Sequence, residues 1–83
     1  MSKKNLKSLC KHIASCKSEK QVEDFLEAIL SPKELIEIPT RLEIIKLLKA
    51  GLPQREIAES LGVGIATITR GARELKQGKF KNI

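Results

Sequence analysis

The stretch QREIAESLGVGIATITRGARELK, residues 54–76, decides the fold of this chain. Apolar residues recur in it at helical spacing on both sides of Gly62, which stands where a tight turn between two helices requires a left-handed backbone. The first helix covers residues 54–61, and the second begins at Gly64 or Ile65. This spacing predicts a helix-turn-helix. Its inward-facing residues are Ile57, Ala58, Leu61, Val63, Ile68, Ala72 and Leu75.

A helix-turn-helix presents its second helix to the DNA major groove, with the N-terminal residues of that helix against the base edges. Small or apolar side chains and one hydroxyl stand at those positions here, so none offers a bidentate contact to guanine or adenine. We therefore expect readout through thymine methyl groups, bridging water and DNA shape, with affinity supplied by phosphate contacts. The residues predicted to contact DNA are Gln54, Arg55, Gly64, Ile65, Ala66, Thr69, Arg73 and Lys76.

The residues upstream of this stretch also have helical periodicity. Residues 18–21 and 31–34 form capping boxes, and Pro32 stands at a first helical position, where a missing N–H costs nothing. We expect Pro39 to end this third helix and Pro39 or Thr40 to open a fourth. The prediction is an all-α chain of five to six short helices.

The domain organisation follows from these helices. Gly51 is placed to end the helix before the helix-turn-helix in a left-handed conformation. We expect one domain with three parts: helices of a dimer core over residues 1–52, a DNA-reading head over residues 53–76, and a frayed tail over residues 77–83. A thin core in a chain of 83 residues favours a partner chain.

Charge is unevenly distributed along the chain, whose formal net charge is +6. Residues 1–17 contain five lysines and no acid, residues 19–43 contain seven acids and three bases, and residues 53–83 contain six bases and three acids. Basic ends around an acidic middle favour a polyanionic partner; a pattern that only maintains solubility is the alternative. No segment approaches the roughly 20 apolar residues that span a bilayer, and no signal peptide is recognisable, so we expect a cytoplasmic protein.

Candidate catalytic and metal-binding residues are few. Cys10 and Cys16 stand with His12 between them, and no suitable fourth ligand lies nearby, so reduced thiols are expected and no metal. The acids of residues 19–43 are typical of solvated helix faces, and no arrangement of nucleophile and base is recognisable. We predict that the chain is not an enzyme.

The segment GIATITRG, residues 64–71, with QRE ahead of it and LK behind, closely resembles the helix-turn-helix of the Trp repressor family. The pattern LSPKELIEIPTRLEIIKLL, residues 30–48, resembles the helices that precede that family's reading head. The resemblance implies a cytoplasmic, intertwined helical dimer that represses transcription at operator DNA, with free L-tryptophan as its corepressor. This family is itself a type example of the helix-turn-helix and of water-mediated readout, so both features come with the resemblance.

The resemblance also implies a ligand site between the reading head and the dimer core. Arg70 would pair with the carboxylate of the amino acid, and Gly71 would leave room beside it. Arg41 would lie on the other side of the indole, while carbonyls at Leu30 and Ser31 would accept the ammonium. Arginine suits these roles because it offers a fork for a carboxylate and a flat face for an aromatic ring.

This chain departs from the family pattern at three places. The chain stops near where the family usually has a final helix, so we expect part of the dimer interface to be missing or rebuilt. Between Arg41 and Gln54 it is one residue shorter than the best-known tryptophan-responsive members, a spacing that resembles a sister group whose ligand is less clear. Arg73 and Glu74 stand where the family has small polar residues, which adds charge beside the ligand position.

Several alternatives therefore stay open. The chain as a whole could be a DNA-binding regulator that ignores tryptophan, or a protein-interaction module that uses its first two helices. Arg70 could be a phosphate contact, and Arg41 could form a surface ion pair with Glu37 or Glu43. Gly71 could serve the close approach of another backbone instead of a ligand.

Overall fold

The computed structural model describes residues 3–83, which contain α-helices and no β-strand. The all-α prediction is thereby confirmed, with five helices over this range. The chain divides into two compact units, one ending at Leu35 and the other comprising Ile36–Ile83. The helices are α1 (Lys3–Ser15), α2 (Glu19–Ile29), α3 (Pro32–Lys49), α4 (Gln54–Leu61) and α5 (Ile65–Lys76).

Both predicted capping boxes are present. The backbone N–H of Gln21 donates to Ser18 Oγ at 3.2 Å, and Gln21 Oε1 accepts from the N–H of Lys17 at 2.7 Å. The N–H of Glu34 donates to Ser31 Oγ at 3.2 Å, and Glu34 Oε1 accepts from the N–H of Ser31 at 2.8 Å. These reciprocal bonds satisfy N–H groups that have no partner inside the helix, and so they define the starts of α2 and α3.

The expectation that Pro39 ends a helix is wrong, because α3 continues through Pro39 to Lys49. Proline removes one backbone donor from the helix, but it does not prevent the following residues from bonding. The next residue, Thr40, donates its hydroxyl to the carbonyl of Ile36 at 2.7 Å. The helix therefore loses one backbone hydrogen bond at Pro39 and continues.

Burial explains why α3 tolerates this proline. A proline inside a helix costs about 3 kcal/mol relative to alanine. Downstream of it, Ile44 and Ile45 are 2% and 1% exposed, and each fully buried isoleucine contributes about 1.5–3 kcal/mol. Tertiary packing of the second half of α3 thus offsets the unfavourable helix propensity of Pro39. Local sequence patterns do not reveal this packing, because it involves residues of other helices.

Two glycines with positive φ end helices in the second unit, as predicted. Gly51 has φ +89°, and the N–H of Leu52 returns to the carbonyl of Leu47 at 3.2 Å, which closes the end of α3. Gly62 has φ +67°, and its N–H bonds to the carbonyl of Ala58 at the end of α4. These turns direct the chain from α3 into α4 and from α4 into α5.

The core of the second unit is formed by α3, α4 and α5. Ile44, Ile57 and Ile68, one from each helix, form a buried cluster. In contrast, neither α1 nor α2 contains a buried residue. Partly buried side chains packed against the cluster are Leu47, Leu48, Leu52, Ala58, Leu61 and Val63.

Residues 77–83 follow α5 as turns and irregular backbone. Lys49 Nζ donates to the carbonyl of Ile83 at 2.9 Å and also to the carbonyl of Phe80. Within residues 3–83, no helix combines the length and apolar character needed to cross a membrane.

Candidate nucleic-acid interface and ligand cavity

The predicted helix-turn-helix consists of α4, the turn at Gly62 and α5. Ile57 of α4 and Ile68 of α5 are both 0% exposed, so the two helices are held by their buried faces. Gly64 precedes α5 as its N-cap, in an extended conformation and without a side-chain hydrogen bond. The first N–H groups of α5 therefore have no side-chain acceptor from the cap, and a helix N-terminus of this kind favours anions.

The residues predicted to contact DNA on α5 share one exposed face. Ala66, Thr69, Arg73 and Lys76 follow Ile65 by one, four, eight and eleven residues. At 100° per residue, all five lie within about a third of the helix circumference. Ile65 is 50% exposed although it is apolar. Arg55 on α4 is also exposed, and Gln54 is half-buried. The exposed residues of this face are Ile65, Ala66, Thr69, Arg73 and Lys76.

A side-chain contact connects the two helices at this face. Thr69 Oγ1 lies 2.9 Å from Gln54 Oε1 and 3.1 Å from the carbonyl oxygen of Ile65. A hydroxyl carries one proton, so it donates to one of these oxygens at a time. When the proton is directed to Ile65, the hydroxyl can still accept from Gln54, because rotation of the amide by 180° presents its NH₂ group.

An open cavity of about 290 Å³ lies between α3 and α5. A second cavity of about 400 Å³ adjoins it and shares Arg41, Ile44, Thr67 and Arg70 with the first. The structure thus brings the two arginines of the predicted ligand site to the same place. The first cavity is lined by Arg41, Ile44, Ile45, Ala66, Thr67, Arg70, Gly71 and Glu74.

Two residues that line the first cavity, Arg70 and Glu74, belong to a group of neighbouring charges. Arg70 Nε lies 3.8 Å from Glu74 Oε1, and Lys79 Nζ lies 3.3 Å from Glu74 Oε2. The side chain of Glu74 is 24% exposed, whereas that of Arg70 is 71% exposed. The carboxylate is therefore the more enclosed member of this group.

Thr67 and Glu74 also line the cavity, although neither was predicted to bind the ligand and Glu74 was expected only to add charge beside it. The spacing could have identified both residues. Positions 67, 70, 71 and 74 are three or four residues apart, which places their side chains on one face of a helix. Arg70 and Gly71 were predicted, and the same helical face carries the other two.

Gly71 is buried against α3. A Cβ atom at this position would lie 3.3 Å from Ile44 Cγ2 and 3.5 Å from both Ile45 Cδ1 and Leu48 Cδ1. The three heavy atoms nearest to this position therefore all belong to side chains of α3. Gly71 also lines the first cavity, so its small size serves helix packing and shapes the cavity wall.

The remaining predicted ligand residues, Leu30 and Ser31, lie in the first unit at the end of α2. The N–H of Leu30 donates to the carbonyl of Leu26 at 3.0 Å, and the carbonyl of Ser31 accepts from the N–H of Leu35 at 3.0 Å. One lone pair of the Ser31 carbonyl is thus used in the first turn of α3.

The cysteine and histidine residues of the first unit show no metal-binding arrangement. Among residues 3–83, no group of three or more His, Cys, Asp and Glu side chains could hold a metal ion. Cys10 and Cys16 are free thiols. The His12 ring packs against Phe25 with 4.3 Å between ring centroids.

Comparisons with known proteins identify a family that agrees with the observed helix-turn-helix. The family model described as Trp repressor protein matches residues 4–82. A Trp operon repressor homolog of Vibrio campbellii is 42% identical over 74 residues, which cover 88% of this chain and 74% of that protein. Homologs of the same description from Vibrio vulnificus and Vibrio cholerae are 48% and 46% identical over 59 residues, or 70% of this chain.

The alignments cover 58% and 57% of those two relatives, so this chain matches less than two thirds of their length. No solved structure matches the chain. The family match extends over nearly all described residues and includes the helix-turn-helix. The chain therefore belongs to the Trp repressor protein family, whose members are DNA-binding transcriptional repressors and not enzymes.

Proposed function

We propose that this chain represses transcription by binding operator DNA as a homodimer in the cytoplasm, with L-tryptophan as its corepressor. The exposed face of α5 is the observation that supports the proposal of DNA binding. Its N-terminal end presents Ile65 and Ala66, and its C-terminal end presents Arg73 and Lys76, while Ile68 is fully buried behind it. Such a helix suits the major groove, with apolar groups toward bases and cations toward phosphates.

In this proposal, specificity and affinity come from different residues. Ile65 and Ala66 contact thymine methyl groups, and the unpaired N–H groups at the start of α5 bond phosphate or bridging water. Arg55, Arg73 and Lys76 contact phosphates, so their contribution is lost as salt concentration rises.

The corepressor part rests on the cavity between α3 and α5. Arg41 of α3 and Arg70 of α5 line it, and Ile44 and Ile45 supply an apolar wall. An indole ring suits a site with guanidinium groups and aliphatic side chains, and a carboxylate suits Arg70. Leu30 and Ser31 keep the role of ammonium acceptors that the family resemblance implies.

This position of the cavity suggests how the ligand affects DNA binding. A molecule between α3 and α5 contacts both the core helix and the recognition helix, so it favours one arrangement of α5 relative to α3. If that arrangement is the one that fits the operator, ligand and DNA must increase each other's affinity by the same factor.

The homodimer is supported by the apolar residues that a single chain leaves uncovered. Ile36 is 71% exposed, Leu6 59% and Ile29 53%, while α1 and α2 bury no side chain. A dimer of this kind would read two half-sites about one turn of DNA apart, roughly 34–36 Å.

The decisive experiment is a titration of the protein with L-tryptophan, followed by the fluorescence of the ligand. The chain contains no Trp or Tyr that would obscure the signal. We expect saturable binding that Arg70→Ala weakens and that Arg55→Ala, an exposed arginine that does not line the cavity, leaves unchanged. Absence of binding at millimolar ligand would remove the corepressor and leave the DNA-binding proposal in place.

The main alternative is a DNA-binding regulator that does not respond to tryptophan. The shorter spacing between Arg41 and Gln54 and the charge of Glu74 favour it. Operator affinity measured with and without L-tryptophan separates the two: the corepressor proposal requires tighter binding with the ligand. A protein-interaction module would instead show no salt-dependent binding to DNA of any sequence.

A further inference from the structure

The tail, residues 77–83, connects the ends of two helices in the second unit. Gly78 has φ +89°, and the N–H of the next residue returns to the carbonyl of Glu74 at 3.3 Å, which turns the chain away from the axis of α5. A further turn follows, in which the N–H of Ile83 donates to the carbonyl of Phe80 at 3.3 Å. The tail therefore has hydrogen bonds of its own and a defined path.

Lys49, the last residue of α3, holds this tail. Its Nζ donates to the carbonyl of Ile83 at 2.9 Å and also to the carbonyl of Phe80. Phe80 has φ +64° and a half-buried side chain. Bulky residues rarely adopt such a backbone conformation, which persists only where surrounding contacts impose it. The position of the tail thus depends on a side chain of α3.

The tail begins where the proposed phosphate contacts of α5 end. Arg73 and Lys76 lie in the last turns of α5, directly before the tail. The centre of α5 is held by the buried residues Ile68 and Gly71, whereas the last five residues of the helix are half-buried or exposed. The tail is therefore an additional attachment of the C-terminal end of α5 to α3.

We propose that Lys49 is a positioning residue for DNA binding, which holds the tail so that the C-terminal end of α5 keeps one orientation relative to α3. This inference rests on the proposed DNA contacts of Arg73 and Lys76, and it assigns no DNA contact to Lys49 itself. When the tail is detached, the end of α5 samples several orientations. The apparent affinity for DNA then falls in proportion to the fraction of molecules in the binding orientation.

The test measures affinity for a fluorescently labelled duplex that the unmodified chain has selected from a pool of random sequences. Lys49→Met removes the ammonium and keeps most of the side-chain length, and we expect about three- to tenfold weaker binding. Lys49→Arg keeps a cationic donor and should retain most of the affinity. Lys46→Met is the matched control, because Lys46 is an exposed lysine of the same helix that pairs with Glu43 at 3.8 Å.

A second variant displaces the tail without changing the net charge. A Cβ atom at Gly78 would lie 3.7 Å from Lys81 Cε, which is an ordinary contact, so Gly78→Ala meets only the backbone strain of a positive φ. We expect weaker DNA binding by this variant. The double variant with Lys49→Met should bind no more weakly than the weaker single variant, because both changes release the same segment. Losses that add would overturn the inference.

Two further measurements separate positioning from other roles of Lys49. A phosphate contact would reduce the slope of log K against log salt concentration by about one unit, whereas we expect equal slopes for Lys49→Met and Lys46→Met. Amide hydrogen exchange in the free protein should be faster in Lys49→Met at Lys79 and Ile83, whose N–H groups bond within the tail and to α5. Exchange at Gly62, whose N–H bonds to the end of α4, should not change.

The contrary outcomes are specific. A reduced slope for Lys49→Met would make Lys49 a phosphate contact. Unchanged affinity with a lower urea midpoint would show that the tail contributes only to stability. Unchanged exchange at Lys79 and Ile83 would show that Lys49 does not hold the tail. Each of these results overturns the inference and leaves DNA binding by the unmodified chain in place. If the unmodified chain selects no duplex, the proposed function fails and the positioning role fails with it.

Discussion

The hydroxyl of Thr69 lies 2.9 Å from the side-chain oxygen of Gln54, so the first residue of α4 is tied to the exposed face of the recognition helix. The same hydroxyl lies 3.1 Å from the carbonyl of Ile65. Both oxygens of this small network belong to residues on the proposed DNA surface. Each of the two side chains therefore orients the other, and their effects on DNA binding should not be independent.

Substitution of Thr69 and Gln54 tests this coupling. We expect Thr69→Ala and Gln54→Ala each to weaken operator binding, and the double variant to lose less than the sum of the two by at least about 0.5 kcal/mol. The measurement is a double-mutant cycle of operator affinities at one salt concentration. Strict additivity would mean that the residues contact DNA separately.

Thr69 is also expected to affect sequence preference. If its hydroxyl reads a base, Thr69→Ala should change the preference at one base pair by about 1–3 kcal/mol. A set of operators with single base changes provides the measurement. Equal weakening on every sequence would indicate that Thr69 acts only by positioning Gln54.

Gly62 and Gly71 should respond differently to substitution because their constraints differ. Gly62 has φ +67° and no atom within 4 Å of the position that a Cβ would occupy, so Gly62→Ala meets backbone strain alone. This strain should cost about 1–2 kcal/mol. Gly71→Ala gains about 1 kcal/mol of helix propensity but meets Ile44 Cγ2 at 3.3 Å, so its net effect should be small. Urea unfolding at a fixed protein concentration measures both.

A larger side chain at position 71 should be clearly unfavourable. Gly71→Val places two more methyl groups against Ile44, Ile45 and Leu48, and overpacking of this kind costs about 1–3 kcal/mol. It should also abolish the response to L-tryptophan, because Gly71 lines the cavity. A stable Gly71→Val variant that still responds to the ligand would contradict both expectations. It would show that neither the space between position 71 and α3 nor the cavity is as restricted as the distances indicate.

Lys76 is expected to contact a phosphate. Lys76→Ala should weaken binding similarly on all DNA sequences and reduce the slope of log K against log salt concentration by about one unit. Lys20→Ala is the matched control, since Lys20 lies on α2 and pairs with Asp24 at 3.0 Å. An unchanged slope for Lys76→Ala would exclude the phosphate contact.

The capping box at the start of α3 predicts a pH dependence of stability. The hydrogen bond from the Ser31 backbone N–H, with a smaller contribution from the Ser31 side chain, holds the pKa of Glu34 below its ordinary value of 4.5. Because the folded pKa is the lower one, this contribution is fully present above pH 4.5 and is lost as pH falls through the folded pKa. Glu34→Gln keeps an acceptor and removes the ionisation.

The stability difference between the unmodified chain and Glu34→Gln should therefore be constant near neutral pH and should disappear as the pH falls below about 4.5. Unfolding by urea at a series of pH values measures it. A difference that does not change with pH would show that the charge of Glu34 contributes nothing to the cap.

Local sequence signals predicted several elements correctly because each depends on nearby residues. The boxes at residues 18–21 and 31–34 need only a hydroxyl and an acceptor three positions apart. Gly51 and Gly62 were recognisable because few other residues adopt positive φ readily. The spacing from Gln54 to Lys76 was sufficient for the helix-turn-helix, since the buried face of each helix repeats within the segment itself.

The sequence by itself determined the helical class, the helix-turn-helix and the family, because these depend on periodicity and on residues close together in the chain. Only the tertiary structure decided that α3 passes through Pro39, because burial of Ile44 and Ile45 outweighs a local propensity. It also decided that Gly71 faces side chains of α3 and that Arg41 of α3 and Arg70 of α5 line the same cavity. Such contacts join residues that are distant in the chain. The sequence left the alignment of α3 residues with α5 residues undetermined, because the segment before Gln54 is one residue shorter than in the family pattern.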